Sequence, residues 1–318
     1  MKPGKSKNGG FPRTIDTVYL RITNRCNCRC LTCVNGGSED GDPGNELTYR
    51  EIAVVLDELG GLGLKHFTLW GGEPLLRKES PRVFKHAKKV GLSTTICTNG
   101  ILLERLADDL VGCVDHFVVS LDAVGPLHDR LRNRKGTFDG AVSAIRAVTD
   151  RGASFVKIWT HLNRRNIGEV DRLISLADGL GIVVEFFPTH AETPDMERVV
   201  LTDGQKRKVF SRILSKKQSG APVANSDHFL NHLIKGTTFR CSYPKTAIEI
   251  NDNGDLYSCE RPMGSMCRVW GNIRDHRVSE LVTPERLAPF IEDMKDCNYC
   301  SIPCIFDTSW EFNHRIRG

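Results

Sequence analysis

An α/β fold built on a parallel sheet is what this 318-residue sequence predicts. Between residues 17 and 187, six short segments rich in β-branched and aromatic residues recur, separated by segments with apolar residues at helical spacing. Beyond about residue 192 the alternation stops, and short strands, turns and spaced cysteines take over. Strands alternating with helices of about 10–15 residues indicate βαβ units and hence a parallel sheet. An open sheet and a barrel-like sheet both satisfy the pattern. In either, functional groups gather at the C-terminal ends of the strands.

The elements follow in order. Residues 1–15 form a basic tail, with Lys2, Lys5 and Lys7 among Gly and Pro, and are expected to be flexible. Residues 17–23 (TVYLRIT) read as the first strand. Residues 47–62 place Ile52, Val55, Leu56 and Leu59 on one helical face, and Thr48 with Glu51 three residues on makes a capping box. Residues 66–70 are a strand, followed by a helix that stops before Gly91. Three more pairs follow: strand 92–98 with helix 102–110, strand 116–121 with helix 138–149, and strand 155–160 with helix 167–176. Residues 182–187 (IVVEFF) close the series. Residues 201–214 look helical and 219–226 (SGAPVANS) look like a linker. Residues 246–250 and 255–257 flank Asn251-Asp252-Asn253-Gly254, a good hairpin turn. The chain thus divides into a tail (1–15), a core (16–195), a helix and linker (196–240) and a cysteine-bearing C-terminal part (241–318).

Composition narrows the function. Hydrophobic residues are 40% and charged residues 26%, which argues against a mostly disordered chain. No run approaches eighteen apolar residues, so no membrane partner is expected. The net charge of +5 is mild and does not imply a nucleic-acid partner. The basic start has no apolar run behind it and is not a signal peptide, which places the chain in the cytoplasm. There the twelve clumped cysteines read as metal ligands rather than disulfides.

Cys26, Cys30 and Cys33, spaced Cys-x3-Cys-x2-Cys, follow the first strand. Three thiolates on one tight loop suit three irons of a four-iron cluster and leave the fourth open; the competing reading is zinc, with Cys28 as a further ligand. Gly71-Gly72-Glu73-Pro74 follows the second strand, offering close backbone approach and a carboxylate for an ammonium group. Asn99 follows the third strand, and Ser120 and Asp122 lie at the end of the fourth. In the C-terminal part, Cys241 and Cys259 flank the turn glycine Gly254, and Cys297-x2-Cys300 is followed by Cys304. Spacing alone leaves zinc and iron–sulfur equally open there.

These motifs resemble the radical S-adenosylmethionine enzymes over roughly residues 17–187. Cys26, Cys30 and Cys33 match the family's cluster motif and Gly71, Gly72, Glu73 and Pro74 its GGEP motif; Asn99 and Ser120 match its polar cofactor-contacting positions. Thr32 stands where the family usually has an aromatic residue, leaving its backbone to reach the adenine. The resemblance implies a partial six-stranded, TIM-like β/α barrel. The C-terminal part resembles the twitch domain, a shortened SPASM domain of α+β type, which implies one auxiliary 4Fe–4S cluster on Cys241, Cys259, Cys297 and Cys300, with Cys304 as the alternative to Cys300. The implied cofactors are S-adenosylmethionine and two 4Fe–4S clusters, with an external one-electron donor of flavodoxin or ferredoxin type as partner.

Cys28 has no role in that pattern, and Cys97 and Cys113 read as small buried hydrophobes. Cys267 lies in a loop of the C-terminal part and is the candidate hydrogen-atom donor. Substrate-facing candidates are Asp122, Thr160 and His190, with His161 and Glu192 beside them. The expected reaction is hydrogen abstraction from a hydroxylated small molecule of sugar, aminocyclitol or aminoglycoside type, in natural-product biosynthesis, ending in epimerisation through Cys267. The alternatives are dehydrogenation to a ketone with the auxiliary cluster as electron acceptor, peptide maturation, for which the length leaves no leader-recognition module, and a non-catalytic zinc or iron–sulfur protein.

Overall fold

The computed structural model describes residues 12, 14–33, 39, 43–191, 194–257, 259, 269–294, 297 and 300–315. Glu192, Cys267 and the tail lysines Lys2, Lys5 and Lys7 lie outside them, as does most of the tail expected to be flexible.

The first half is a regular alternation: β1 (Thr17–Arg21), α1 (Tyr49–Leu62), β2 (His66–Trp70), α2 (Ser80–Lys89), β3 (Ser93–Thr98), α3 (Leu103–Leu110), β4 (His116–Ser120), α4 (Pro126–Arg132), α5 (Thr137–Asp150), β5 (Phe155–Leu162), α6 (Val170–Gly179) and β6 (Val183–Pro188). The capping box at the start of α1 forms, Thr48 accepting from the Glu51 backbone and Glu51 from the Thr48 backbone. The strands β1 to β6 lie side by side in chain order and all run parallel. A doubly wound sheet reverses its strand order; this one does not, as in a β/α barrel left open between β6 and β1.

Strand alternation separates two faces. Val18, Leu20, Phe67, Leu69, Ile96, Phe117, Val119, Val156 and Ile158 join the buried apolar core. The alternate residues, among them Tyr19, Thr68, Cys97, Ser120, Lys157 and Glu185, take the opposite, luminal face, which is much more polar. Cys97 is therefore a luminal residue and not a core hydrophobe, while Cys113 does join the core. β5 runs two residues beyond its expected end at Thr160, so His161 and Leu162 also belong to the strand.

After β6 come α7 (Pro194–Glu197), α8 (Asp203–Gln218) and α9 (Asp227–Lys235). The stretch 219–226 is pinned rather than slack. Val223 bridges Val184, and the buried Asn225 side chain accepts from the Phe186 N–H at 2.9 Å and donates to its carbonyl at 2.8 Å. The chain then returns to the other sheet edge through β7 (Ala247–Ile250), β8 (Asp255–Tyr257) and β9 (Val269–Asn272), followed by α10 (Val278–Leu281), α11 (Pro284–Asp293) and α12 (Pro303–Arg315). The hairpin β7–β8 turns at Gly254, whose φ of +91° suits glycine. β7 also pairs parallel with β1, so one nine-stranded sheet runs through the described residues, in the order β6-β5-β4-β3-β2-β1-β7-β8-β9. No helix among the described residues is long and apolar enough to cross a membrane.

Candidate active site

The loop carrying Cys26, Cys30 and Cys33 leaves β1 and has no regular structure, so its backbone groups need partners from elsewhere. α4 supplies them. The carbonyls of Arg132 and Leu131, at the C-terminal end of that helix, accept from the N–H groups of Arg29 and Leu31 at 3.1 and 2.9 Å. Arg134 donates to the Asn27 carbonyl at 2.6 Å. A helix end leaves its last carbonyls unpaired, and the cysteine loop uses two of them.

Gly71 and Gly72 fix the other side of this loop. The Gly72 N–H donates to the Thr23 carbonyl and the Glu73 N–H to the Arg25 carbonyl, both at 2.8 Å. A Cβ at Gly71 would sit 2.4 Å from the Thr23 oxygen, and one at Gly72 would sit 2.2 Å from the Arg25 oxygen. The glycines therefore let two backbone segments of this chain meet, where the sequence suggested approach by a ligand.

Glu73 is fully buried and joins three strand ends. Its carboxylate accepts from Thr98 Oγ1 at 2.7 Å, the Asn99 N–H at 2.8 Å and the Leu75 N–H at 3.1 Å. Burial pushes its carboxyl up to about 7 despite these donors. One further acceptor position on Oε2 is left for a cation. Pro74 opens a short 3₁₀ turn, and its carbonyl is held by Ser80 Oγ at 2.6 Å. The Asn99 side chain donates to Asn27 Oδ1 at 2.6 Å and approaches the Cys26 sulfur at 4.0 Å, tying β3 to the cysteine loop.

The thiols are electrostatically prepared. Cys28 is buried, and its thiol hydrogen-bonds both Cys26 and Cys30, which holds its own pKa up. The same bonds lower Cys26, and they lower Cys30 to about 6, with the Arg132 guanidinium adding to the effect. Arg132 Nη1 lies 3.6 Å from the Cys30 sulfur, and Arg132 Nη2 pairs with the Asp122 carboxylate at 2.8 Å. Burial works to raise the Asp122 carboxyl, but Arg132 wins and holds it below the usual range. Asp122 also accepts from the His161 N–H at 3.0 Å.

The sequence offers Asp122 as a substrate contact; in the structure its carboxylate is engaged in positioning Arg132, a residue the sequence alone does not single out. The spacing of His128 and Arg132, four apart behind Pro126, is the signal that would have found a helix carrying both inward. Thr160 is fully buried on the helix-facing side of β5, its hydroxyl donating to the Leu121 carbonyl at 2.8 Å, so it does not face substrate. His161 is luminal, its ring 4.2 Å from Phe187. His190 is half-buried just past β6. Ser120 and Thr32 are half-buried, at the end of β4 and within the cysteine loop.

A second group of cysteines packs beside β1. Cys241, Cys297 and Cys300 are buried with Tyr243 and Met294, and Cys259 and Cys304 lie against them. Cys241 hydrogen-bonds Cys297, which holds its thiol pKa up. The Tyr19 hydroxyl hydrogen-bonds the Cys304 thiol, so Cys304 faces the lumen.

Both groups suit iron–sulfur clusters in donor chemistry. Two thiols of the first loop are biased toward the thiolate form that binds iron, and backbone and side-chain donors surround them. Among the described residues no three Cys, His, Asp or Glu side chains are drawn around one point. A cluster does not ask for that, because each thiolate holds its own iron.

Comparison with known proteins agrees. The Radical SAM superfamily profile matches residues 20–177. A probable GTP 3′,8-cyclase of Methanocella arvoryzae is 30% identical over 210 residues, covering 62% of this chain and 67% of that protein. Of several further curated relatives, the chain spans roughly half the length. Streptococcus suis SuiB bound to S-adenosylmethionine shares the fold with a TM-score of 0.72 at 16% identity, over 88% of this chain and 68% of that one. BtrN in complex with AdoMet and 2-DOIA gives a TM-score of 0.50 at 16% identity, over 90% and 89%. Barrel order, cysteine loop, glycine pair and these likenesses converge: the chain belongs to the Radical SAM superfamily, whose members are enzymes.

Proposed function

We propose that this enzyme abstracts a hydrogen atom from a carbinol carbon of a hydroxylated small molecule of sugar, aminocyclitol or aminoglycoside type, and that the product is an epimer. The observation that carries the reading is the convergence, above a polar lumen, of the cysteine loop, Glu73 and Arg132. When bound, a 4Fe–4S cluster on Cys26, Cys30 and Cys33, S-adenosylmethionine and an electron from a flavodoxin- or ferredoxin-type donor supply a 5′-deoxyadenosyl radical. The chain's own residues orient the participants. Glu73 accepts from the cofactor's ammonium group and Arg132 offers a cation beside Cys30. Asn99, Ser120 and the Thr32 backbone line the same mouth.

Epimerisation needs a thiol S–H to return a hydrogen atom to the substrate radical. Cys267 is the donor the sequence favours, and Cys304 is a second thiol, on the luminal side. The resulting thiyl radical regains S–H by taking one electron from the same class of external donor and one proton from solvent. The second reading is dehydrogenation, favoured by the cysteine group beside β1. There Cys241, Cys259, Cys297 and Cys300 would hold an auxiliary cluster, which would supply a one-electron acceptor for the substrate radical as the substrate's hydroxyl proton passes to a base or solvent. The mate of matching length, BtrN, is described with 2-DOIA, and SuiB with a precursor peptide; the polar lumen favours the small molecule.

The test is anaerobic reconstitution, with iron, sulfide and zinc measured, followed by incubation with S-adenosylmethionine and dithionite. About eight irons per chain with matching sulfide, and 5′-deoxyadenosine on adding a hydroxylated ring, are expected. Zinc without sulfide refutes the reading, and turnover of peptides alone moves the enzyme to the maturases. In deuterated water, Cys267→Ala and Cys304→Ala separate the two outcomes: an epimerase loses inversion and deuterium uptake in one of them, whereas a dehydrogenase keeps forming ketone in both.

A further inference from the structure

Midway down the lumen, Lys157 of β5 and Glu185 of β6 form an ion pair, Nζ to Oε2 at 2.7 Å. Closed β/α barrels fill this level with branched aliphatic side chains. Here the neighbouring luminal positions are Thr68, Thr95, Cys97 and Val118, and only the last is of that kind. Aliphatic side chains of the same volume would hold the strands at least as well, because a buried pair must first be stripped of water. The placement therefore asks for a role beyond packing.

The surroundings describe a recognition site. Cys304 of α12, hydrogen-bonded by Tyr19, lies within electrostatic reach of the pair. Cys97 lies within reach of both the pair and Glu73, which joins this level to the mouth. Lys157 Nζ uses one of its three donors on Glu185, and Glu185 keeps further acceptor capacity. Trp159, in register with Glu185, packs against Phe187 with ring centroids 4.5 Å apart, and its buried indole N–H has no partner among the described residues. Glu185 lies three residues before the C-terminal end of β6, so about 10 Å of lumen separates it from the rim at 3.3 Å per residue. One six-membered ring with its substituents spans that depth.

We propose that Lys157 and Glu185 are the specificity-determining pair of this enzyme. They read adjacent hydroxyl or amino substituents of one polyhydroxylated or aminated six-membered ring, which lies against the half-buried Trp159 ring, itself backed by the buried Phe187, with its reacting carbon toward the rim. The lysine donates to a hydroxyl or amine lone pair, the carboxylate accepts from the neighbouring substituent, and the indole N–H takes a third. This rests on the small-molecule reading above.

The test is isothermal titration of the anaerobically reconstituted enzyme, with S-adenosylmethionine present, using 2-deoxystreptamine, D-glucosamine and myo-inositol as probes. Deoxyadenosine formation is followed separately. The variants are Lys157→Met, the near-isosteric Glu185→Gln, and the exchange Lys157→Glu with Glu185→Lys, which keeps an ion pair in place. At least one probe binds the wild type; each single variant and the exchange weaken it at least tenfold, while the exchanged protein melts within a few degrees of wild type. Binding by the exchanged protein within twofold of wild type overturns the inference, because a merely structural pair tolerates reversal. Undiminished binding and turnover in the single variants also overturns it and leaves the small-molecule reading standing. Binding that depends on the pair without deoxyadenosine formation keeps the recognition site and removes the reaction. No binding by any probe overturns the inference.

Discussion

Gly72→Ala separates backbone packing from ligand approach at the loop after β2. The new Cβ would lie 2.2 Å from the Arg25 oxygen and 2.6 Å from its carbonyl carbon, whereas ordinary contact begins near 3.4 Å. The two backbone segments must part by about 1.2 Å, the difference of those distances. That stretches the two 2.8 Å bonds, Gly72 N–H to Thr23 and Glu73 N–H to Arg25, past 3.5 Å. Each buried group left unpaired costs about 1–3 kcal/mol, so a loss of about 3–5 kcal/mol is expected. Gly61→Ala is the control: it lies in α1 with nothing within 4 Å of the new Cβ, and gains about 0.5–1 kcal/mol. Urea denaturation of both variants gives the stabilities, and iron per chain after reconstitution reports the cysteine loop. A Gly72→Ala protein with wild-type stability and full iron content would refute the reasoning.

Arg132→Met leaves the Asp122 carboxylate buried without its cation and lowers stability by about 3–5 kcal/mol, read by denaturant midpoint. His128 is buried, with burial lowering its pKa to about 4, so below about 6.5 the unfolded chain takes up a proton that the folded one refuses. Stability is complete above that range and falls with acid. Relative to His128→Asn, wild type loses about 2 kcal/mol between pH 7 and pH 5, measured by urea titration at both. Glu58 caps the start of α10, accepting from the N–H groups of Val278 at 3.1 Å and Ser279 at 3.0 Å. Glu58→Ala should lower the melting free energy by about 1–2 kcal/mol. Cys26→Ala and Cys297→Ala should each remove about four irons per chain by colorimetric assay, and only the first should abolish 5′-deoxyadenosine formation.

What the sequence could show was local. The Thr48–Glu51 capping box and the Asn251–Gly254 turn depend on residues within one turn of each other, and both form. The six core strands were legible because period-2 alternation and helical spacing are short-range patterns. The same period held the answer for Thr160: in FVKIWTHL the apolar set is Val156, Ile158 and Leu162, and Thr160 shares their parity. Taking the strand end as residue 160 hid that. Long-range partnerships left no local trace. Nothing in AIEI says that β7 will pair with β1, or that the Leu131 and Arg132 carbonyls will serve a loop a hundred residues earlier. The glycine pair was visible, but the Thr23–Arg25 backbone that needs the space was not.

On the proposed assignment of one cluster to each cysteine group, the pairing of β7 with β1 has a consequence for electron traffic. A single five-residue rod carries the first cysteine loop on its tip and is stitched along its flank to the strand beside the second cysteine group. Tunnelling rates decay exponentially with separation, and hinge motion between two redox stations would make transfer intermittent. Here the spacing is set by the hydrogen-bond register Thr17–Ala247 through Leu20–Ile250. Any charge passing between the stations crosses a gap as constant as the sheet itself.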